Sequence, residues 1–127
     1  MLNSRTKGEI GQLKIQLRAA ELNLISSIPT TEVYYDLILD NYKTKEIYRA
    51  QIKYCNRKHG KNLEIRLDNR SSKRIFYRHT DINWLLIFIP AKDVILKYEK
   101  KYFHRKSRID INLVDPKSKW YYKNFIW

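Results

Sequence analysis

The chain carries 127 residues, with 26 Lys and Arg against 13 Asp and Glu, for a formal net charge of +13. That length is expected to form one domain over residues 1–127 and to bury roughly two-thirds of its unfolded surface, while a lone Cys55 excludes an intramolecular disulfide. The longest apolar run, Trp84–Ile89, is far shorter than the ~20 residues of a membrane span, and residues 1–5 lack the apolar stretch of a secretory leader, so a cytoplasmic protein with no membrane partner is expected.

The charge is unevenly placed. Residues 1–48 balance six basic against six acidic side chains, residues 49–108 hold seventeen against five, and residues 109–127 hold three against two. A basic excess confined to the middle of a small domain calls for a polyanionic partner, because self-repulsion is otherwise uncompensated. Tyr and Trp interleaved with the basic residues favour nucleic acid over a membrane surface.

Ile10, Leu13, Leu17, Ala20 and Leu24 recur at helical spacing, and Thr6 with Glu9 fits a capping box, which predicts an amphipathic helix over residues 7–25. Pro29 breaks the pattern. Residues 33–40 then alternate as a strand, with Tyr35, Leu37 and Leu39 on one face and Asp36, Ile38 and Asp40 on the other. A polar turn at residues 41–44 leads into a second alternating strand over residues 46–55, which puts Arg49, Gln51 and Lys53 opposite Ala50, Ile52 and Tyr54. A hairpin follows from the pair.

Residues 56–61, containing Gly60, predict a basic turn into a third strand near residues 63–67, and residues 68–80 read as a basic loop. The continuous apolar run Trp84–Ile89 suits a buried strand, which Pro90 to Asp93 turns back into a strand over residues 94–98. Residues 100–108 are strongly basic, residues 109–114 alternate again, and residues 120–127 form an aromatic tail that packs either on the core or on another subunit. No repeat or linker divides the chain.

Residues two apart on a strand share a face, so Gln51 and Lys53 are expected to approach Asp36 across the hairpin while Ile52 anchors the other face. Asp36, the Gln51 side-chain oxygen and the Ile52 carbonyl are hard oxygen donors suited to Mg2+, and Lys53 can orient an attacking water or offset charge building on a phosphate. That is the equipment of a metal-dependent phosphodiesterase. The same residues also fit an ordinary cross-strand ion pair between Asp36 and Lys53. His59, His79 and His104 are scattered, without zinc-ligand spacing, and no Gly-rich phosphate loop occurs.

The order Lys7-Gly8-Glu9-Ile10-Gly11, Tyr35-Asp36-Leu37-Ile38 and Gln51-Ile52-Lys53, continued by residues 81–90, 109–116 and the aromatic tail, resembles the PD-(D/E)XK nucleases, and within them the homing endonucleases associated with group I introns. The resemblance implies an α/β, mixed-sheet, restriction-endonuclease-like core with an N-terminal helix ahead of a central mixed β-sheet. It further implies Mg2+ (or Mn2+) as cofactor, with Asp36 the metal-binding Asp, Gln51 the second ligand and Lys53 the motif Lys. Tyr35 stands where the motif's Pro would, Gln51 is neutral, and Gln12 occupies the position from which the first helix of many relatives supplies a Glu. Glu9, one turn earlier, can replace that carboxylate, with the capping box as its alternative role, and Gln12 can orient water.

For contacts to double-stranded DNA the basic turn and loop offer Arg57, Lys58, Lys61, Arg70, Lys73, Arg74 and Arg78, and a second surface offers Lys100, Lys101, Arg105, Lys106 and Arg108. One active site cuts one strand, so a duplex break implies a homo-oligomer, dimer or tetramer, with tail aromatics such as Trp120, Tyr121, Tyr122 and Trp127 at an interface. The expected function is a sequence-specific homing endonuclease. The alternatives are a Holliday-junction resolvase of the same fold or a non-catalytic nucleic-acid-binding protein.

Overall fold

A helix begins where a side chain can satisfy its free amides, and here that side chain belongs to Asn3, whose Oδ1 accepts the Thr6 N–H at 2.9 Å. In the computed structural model, which describes residues 1–69, 75, 76 and 82–127, helix α1 therefore runs Ser4–Glu21. It starts earlier than the expected residue 7, and Thr6 and Glu9 form no capping box because Thr6 already lies inside the helix. Its end is set by Asn23 in the left-handed region (φ 61), where the Asn23 and Leu24 amides donate to the carbonyls of Ala20 and Ala19 at 3.0 and 2.9 Å. This Schellman arrangement stops the helix at Glu21 instead of residue 25.

Strands β1 (Ile25–Ser27), β2 (Leu37–Asn41), β3 (Glu46–Tyr54), β8 (Trp84–Ile89) and β9 (Val94–Glu99) form a five-stranded sheet in the order β1-β2-β3-β8-β9. All neighbours are antiparallel except β3 and β8, which run parallel from the Ala50–Trp84 pair to the Tyr54–Phe88 pair. The expected mixed sheet behind an N-terminal helix is present. The β2–β3 hairpin turns on Asn41, whose Oδ1 accepts the amides of Lys43 and Thr44. β2 is shorter than the expected strand over residues 33–40, and β1, which pairs with it from Ile25↔Asp40 to Ser27↔Ile38, has no counterpart in the sequence reading.

Two parallel strands need a crossover, and between β3 and β8 it contains β4 (Lys58–His59), β5 (Asn62–Arg66), β6 (Asp68–Asn69) and β7 (Ile75–Phe76). The β4–β5 hairpin turns at Gly60 with φ 64, a left-handed conformation that glycine adopts without steric cost. β10 (Arg108–Asn112) completes a second sheet in the order β10-β5-β4, and β6 pairs with β7. A one-turn helix α2 (Lys100–Phe103) opens the basic stretch after β9.

Each face of the large sheet has its own core. On one side Ile15 and Ala19 of α1 pack with Leu37, Leu39, Ala50 and Leu86. On the other, Leu63, Ile65, Ile109 and Ile111 of the small sheet pack with Leu85, Ile87, Ile89, Leu96 and Tyr98. The helix face in contact is Gly11, Ile15 and Ala19, not the expected stripe: Leu13 and Leu17 are 66% and 60% exposed. The buried face thus sets one large apolar side chain, Ile15, between two small residues, Gly11 and Ala19. The aromatic tail packs on the chain's own core. The Phe125 ring lies tilted against Tyr98 with centroids 4.4 Å apart, Tyr122 is buried in a short 3-10 turn (Tyr122–Phe125), and the Trp127 amide donates to the Ile95 carbonyl at 2.9 Å.

Candidate active site

β2 and β3 stop pairing at Leu37↔Ala50, whereas β3 keeps its other neighbour, β8, as far as Tyr54. Asp36 sits at this fork. Its amide donates to the Ala50 carbonyl at 2.8 Å, and its Oδ2 accepts the Ile52 amide at 2.9 Å. An amide that a continuing β2 would have taken is thus used to fix the carboxylate against the strand carrying Gln51 and Lys53. Asp36 and Leu37 are thus both set against Ala50, and the Asp36 carboxylate reaches along β3 to Ile52, past Gln51.

The gap beside the fork is a cavity of about 400 Å³. Arg5, Gly8, Glu9 and Gln12 of α1 form one wall, and Asp36 with Gln51, Ile52 and Tyr54 forms the other. Glu9 is exposed and pairs with Arg5 at 3.6 Å. The helix rests on β3 at Gly11, where a methyl group would meet Tyr54 Cβ at 3.6 Å and Ile52 Cγ2 at 3.8 Å. Four residues singled out from sequence, Glu9, Gln12, Asp36 and Gln51, therefore line one space.

Burial pushes the Asp36 carboxyl above its usual 3.8, opposed by the Ile52 hydrogen bond and by the positive charge of Lys53. A carboxylate held with its charge under-solvated gains from a cation. Among the described residues no three of His, Cys, Asp and Glu gather to hold a metal by themselves. The donors facing the cavity are two carboxylates, Asp36 and Glu9, and two amides, Gln12 and Gln51. That set fits a hard divalent cation, which binds oxygen through one or two carboxylates and keeps much of its own water shell.

Lys53 does not line this cavity. It lines an adjoining one of about 170 Å³ with Arg57 and Arg66, and Tyr54 is shared by both. Lys58 and Lys61 line a third cavity with Lys92, and Arg108 lies on β10 paired with Glu64 and Asp110. Lys100 and Lys101 are in α2, Arg105 and Lys106 follow it, and the Lys106 ammonium lies 4.4 Å from the Trp120 ring centroid. Arg70, Lys73, Arg74 and Arg78 lie outside the described residues. Sequence reasoning missed Arg5 and Tyr54 as cavity residues. The Arg5–Glu9 spacing of four was the available signal for the first, and nothing local marked the second.

A family model described as PD-(D/E)XK endonuclease matches residues 2–121. Among solved structures, the bacterial homing endonuclease I-Ssp6803I is similar over 98% of this chain and 89% of its own, with a TM-score of 0.82 and 17% sequence identity. Hjc of Archaeoglobus fulgidus, a Holliday junction resolvase from an archaeal hyperthermophile, is similar over 84% of each chain, with a TM-score of 0.56 and 12% identity. At such identities the likeness is one of fold. No curated protein sequence matches the chain.

Proposed function

The chain belongs to the PD-(D/E)XK endonuclease family, and from that premise we propose that it is a sequence-specific homing endonuclease, one catalytic domain over residues 1–127, that hydrolyses phosphodiester bonds of double-stranded DNA with Mg2+ or Mn2+. The observation that carries this reading is the convergence of Glu9, Gln12, Asp36 and Gln51 on one cavity at the strand fork, beside Lys53. The greater extent of the fold likeness to a homing endonuclease than to a junction resolvase favours the linear-duplex substrate.

Asp36, Gln51 and Glu9 would hold the divalent cation, which when bound supplies Lewis-acid polarisation of the scissile phosphate. Asp36 is held for that task by the Ile52 amide. Gln12 and Lys53 orient the attacking water. Its oxygen bonds to phosphorus as the bond to the leaving ester oxygen breaks, its proton passes to solvent, the leaving oxygen takes a proton from solvent, and the Lys53 ammonium offsets the negative charge that accumulates. The Arg and Lys residues named from sequence serve as phosphate and base contacts. One such site opens one strand, so two or more copies act together on a duplex.

The test is cleavage of a randomised duplex library and of four-way junctions, with Mg2+ or with EDTA, by the wild type and by Asp36→Asn. Mg2+-dependent cutting at one defined duplex site, absent in Asp36→Asn, is the expected result. Cutting of junctions alone would establish the resolvase reading instead, and salt-sensitive binding without any cutting would leave a nucleic-acid-binding protein.

A further inference from the structure

The second sheet turns its apolar face, Leu63 and Ile65 with Ile109 and Ile111, to the core. The opposite face has an unusual composition. β5 puts Asn62, Glu64 and Arg66 there, and β10 sets Asn112, Asp110 and Arg108 directly across from them. Arginine thus stands opposite arginine and carboxylate opposite carboxylate, an arrangement that costs stability unless the charges are resolved along and between the strands. They are: Arg66 Nε lies 2.8 Å from Glu64 Oε1, Arg108 lies 4.0 Å from Glu64 Oε2, and Arg108 lies 3.4 Å from Asp110 Oδ2.

Exposure follows charge. The Glu64 side chain is 5% exposed, whereas those of Arg66 and Arg108 are 36% and 47% exposed. A buried anion therefore carries two outward cations. The 2.8 Å contact lacks the angle of a hydrogen bond, and Glu64 Oε1, Arg66 Nε and Asp110 Oδ1 are buried without a hydrogen-bond partner. A charge set kept only for stability is poorly built this way, since packed apolar residues would serve as well or better. Two arginines paired across adjacent strands and both ion-paired to one carboxylate are instead suited to share one bidentate oxyanion.

Position identifies the oxyanion. The Glu64 amide donates to the Arg57 carbonyl at 3.0 Å, and the Cys55 thiol lies 3.5 Å from the Glu64 carbonyl, so β5 is tied to the segment leaving β3 just after Lys53. Lys53, Arg57, Glu64 and Arg66 line one cavity. We infer that Arg66 and Arg108 grip a phosphate of the DNA backbone on the strand side of the cleft, next to Lys53, and that Glu64 is the positioning residue that holds both guanidinium groups in place. The inference rests on the nuclease reading and adds to it a phosphate-binding pair.

Binding of a mixed-sequence duplex in EDTA, followed by fluorescence anisotropy over a salt series, tests this apart from cleavage. Arg66→Gln and Arg108→Gln should each lower the slope of log K against log salt by about 0.9. Arg66→Lys, which retains the charge and the ion pair with Glu64, should keep the slope yet bind several-fold more weakly. Glu64→Gln removes a negative charge and by net charge alone would tighten binding; it should weaken it, and should have no such effect once both arginines are Gln. Thermal midpoints accompany each variant, and where Glu64→Gln does not fold, the arginine variants decide. A wild type that cuts duplex DNA, with Arg66→Gln and Arg108→Gln at the wild-type slope or Arg66→Lys at wild-type affinity, overturns the phosphate pair alone. A wild type that neither binds nor cuts duplex overturns the nuclease reading with it.

Discussion

Gly11 lies where α1 meets β3, beside the candidate active site. The contacts that an added methyl group would make there, 3.6 Å to Tyr54 Cβ, 3.8 Å to Ile52 Cγ2 and 4.0 Å to the Lys53 carbonyl, are ordinary van der Waals separations. Gly11→Ala should therefore be accommodated without moving the helix, and it removes the conformational cost of a mid-helix glycine, about 0.5–1 kcal/mol. For a chain of 127 residues that corresponds to a rise in Tm of about 2–4 °C. Gly11→Leu adds three more carbons at a buried position whose Cβ would already be in contact. It should overpack the contact at a cost of about 1–3 kcal/mol and lift α1 from β3. Glu9 and Gln12 move with the helix, and a misplacement of ~1 Å can cost on the order of 100-fold in rate. Gly8 supplies the control for stability, since a Cβ there meets nothing within 4 Å, so that both Gly8→Ala and Gly8→Leu should stabilise. Thermal denaturation by circular dichroism and single-turnover cleavage of a duplex carrying the selected site read both effects. A Gly11→Leu protein with unchanged Tm and unchanged rate would show that the helix does not rest on β3 at this point.

Three further outcomes are expected. Asp36→Asn should raise Tm at neutral pH without metal while abolishing cleavage: with its folded pKa raised by burial, the carboxyl's stabilising contribution is full below the ordinary carboxylate range and lost as pH rises through the folded value. The gain in Tm should vanish in acid, and Mg2+ should stabilise the wild type but not this variant; an equal response of both to Mg2+ would remove Asp36 from the metal site. Glu9→Gln should raise the Mg2+ concentration needed for cleavage and leave stability within about 1 kcal/mol, because the pair with Arg5 is exposed; unaltered Mg2+ dependence would leave Glu9 with the ion pair alone. Ile15→Ala should cost about 2–5 kcal/mol in urea denaturation, and Leu13→Ala within about 0.5 kcal/mol, since the first side chain is fully buried and the second is 66% exposed; the reverse order would mean that α1 is rotated from the face described.

What the sequence determined by itself was local. Alternation over β2 and β3 specified the hairpin, because a register between adjacent strands follows from the turn that joins them, and the hairpin brought Asp36 to the strand that carries Gln51 and Lys53. The apolar run of β8 announced a strand buried on both faces, and it is so because α1 covers one face of the large sheet and the small sheet covers the other. Tertiary structure decided the rest. The face of α1 against the sheet is Gly11, Ile15 and Ala19, with a single large apolar side chain, too sparse to stand out as a period, whereas Leu13 and Leu17 of the more apolar stripe are exposed. The helix cap went to Asn3 because its side chain, not that of Thr6, reached a free amide. Arg66 and Arg108 came to face each other, with Glu64 beneath them, through a pairing between strands that are distant in the chain. Local periodicity records which way a side chain points along its own element; which partner it meets is settled only when separate elements pack, and the cavity uniting Glu9, Gln12, Asp36 and Gln51 is a product of that packing.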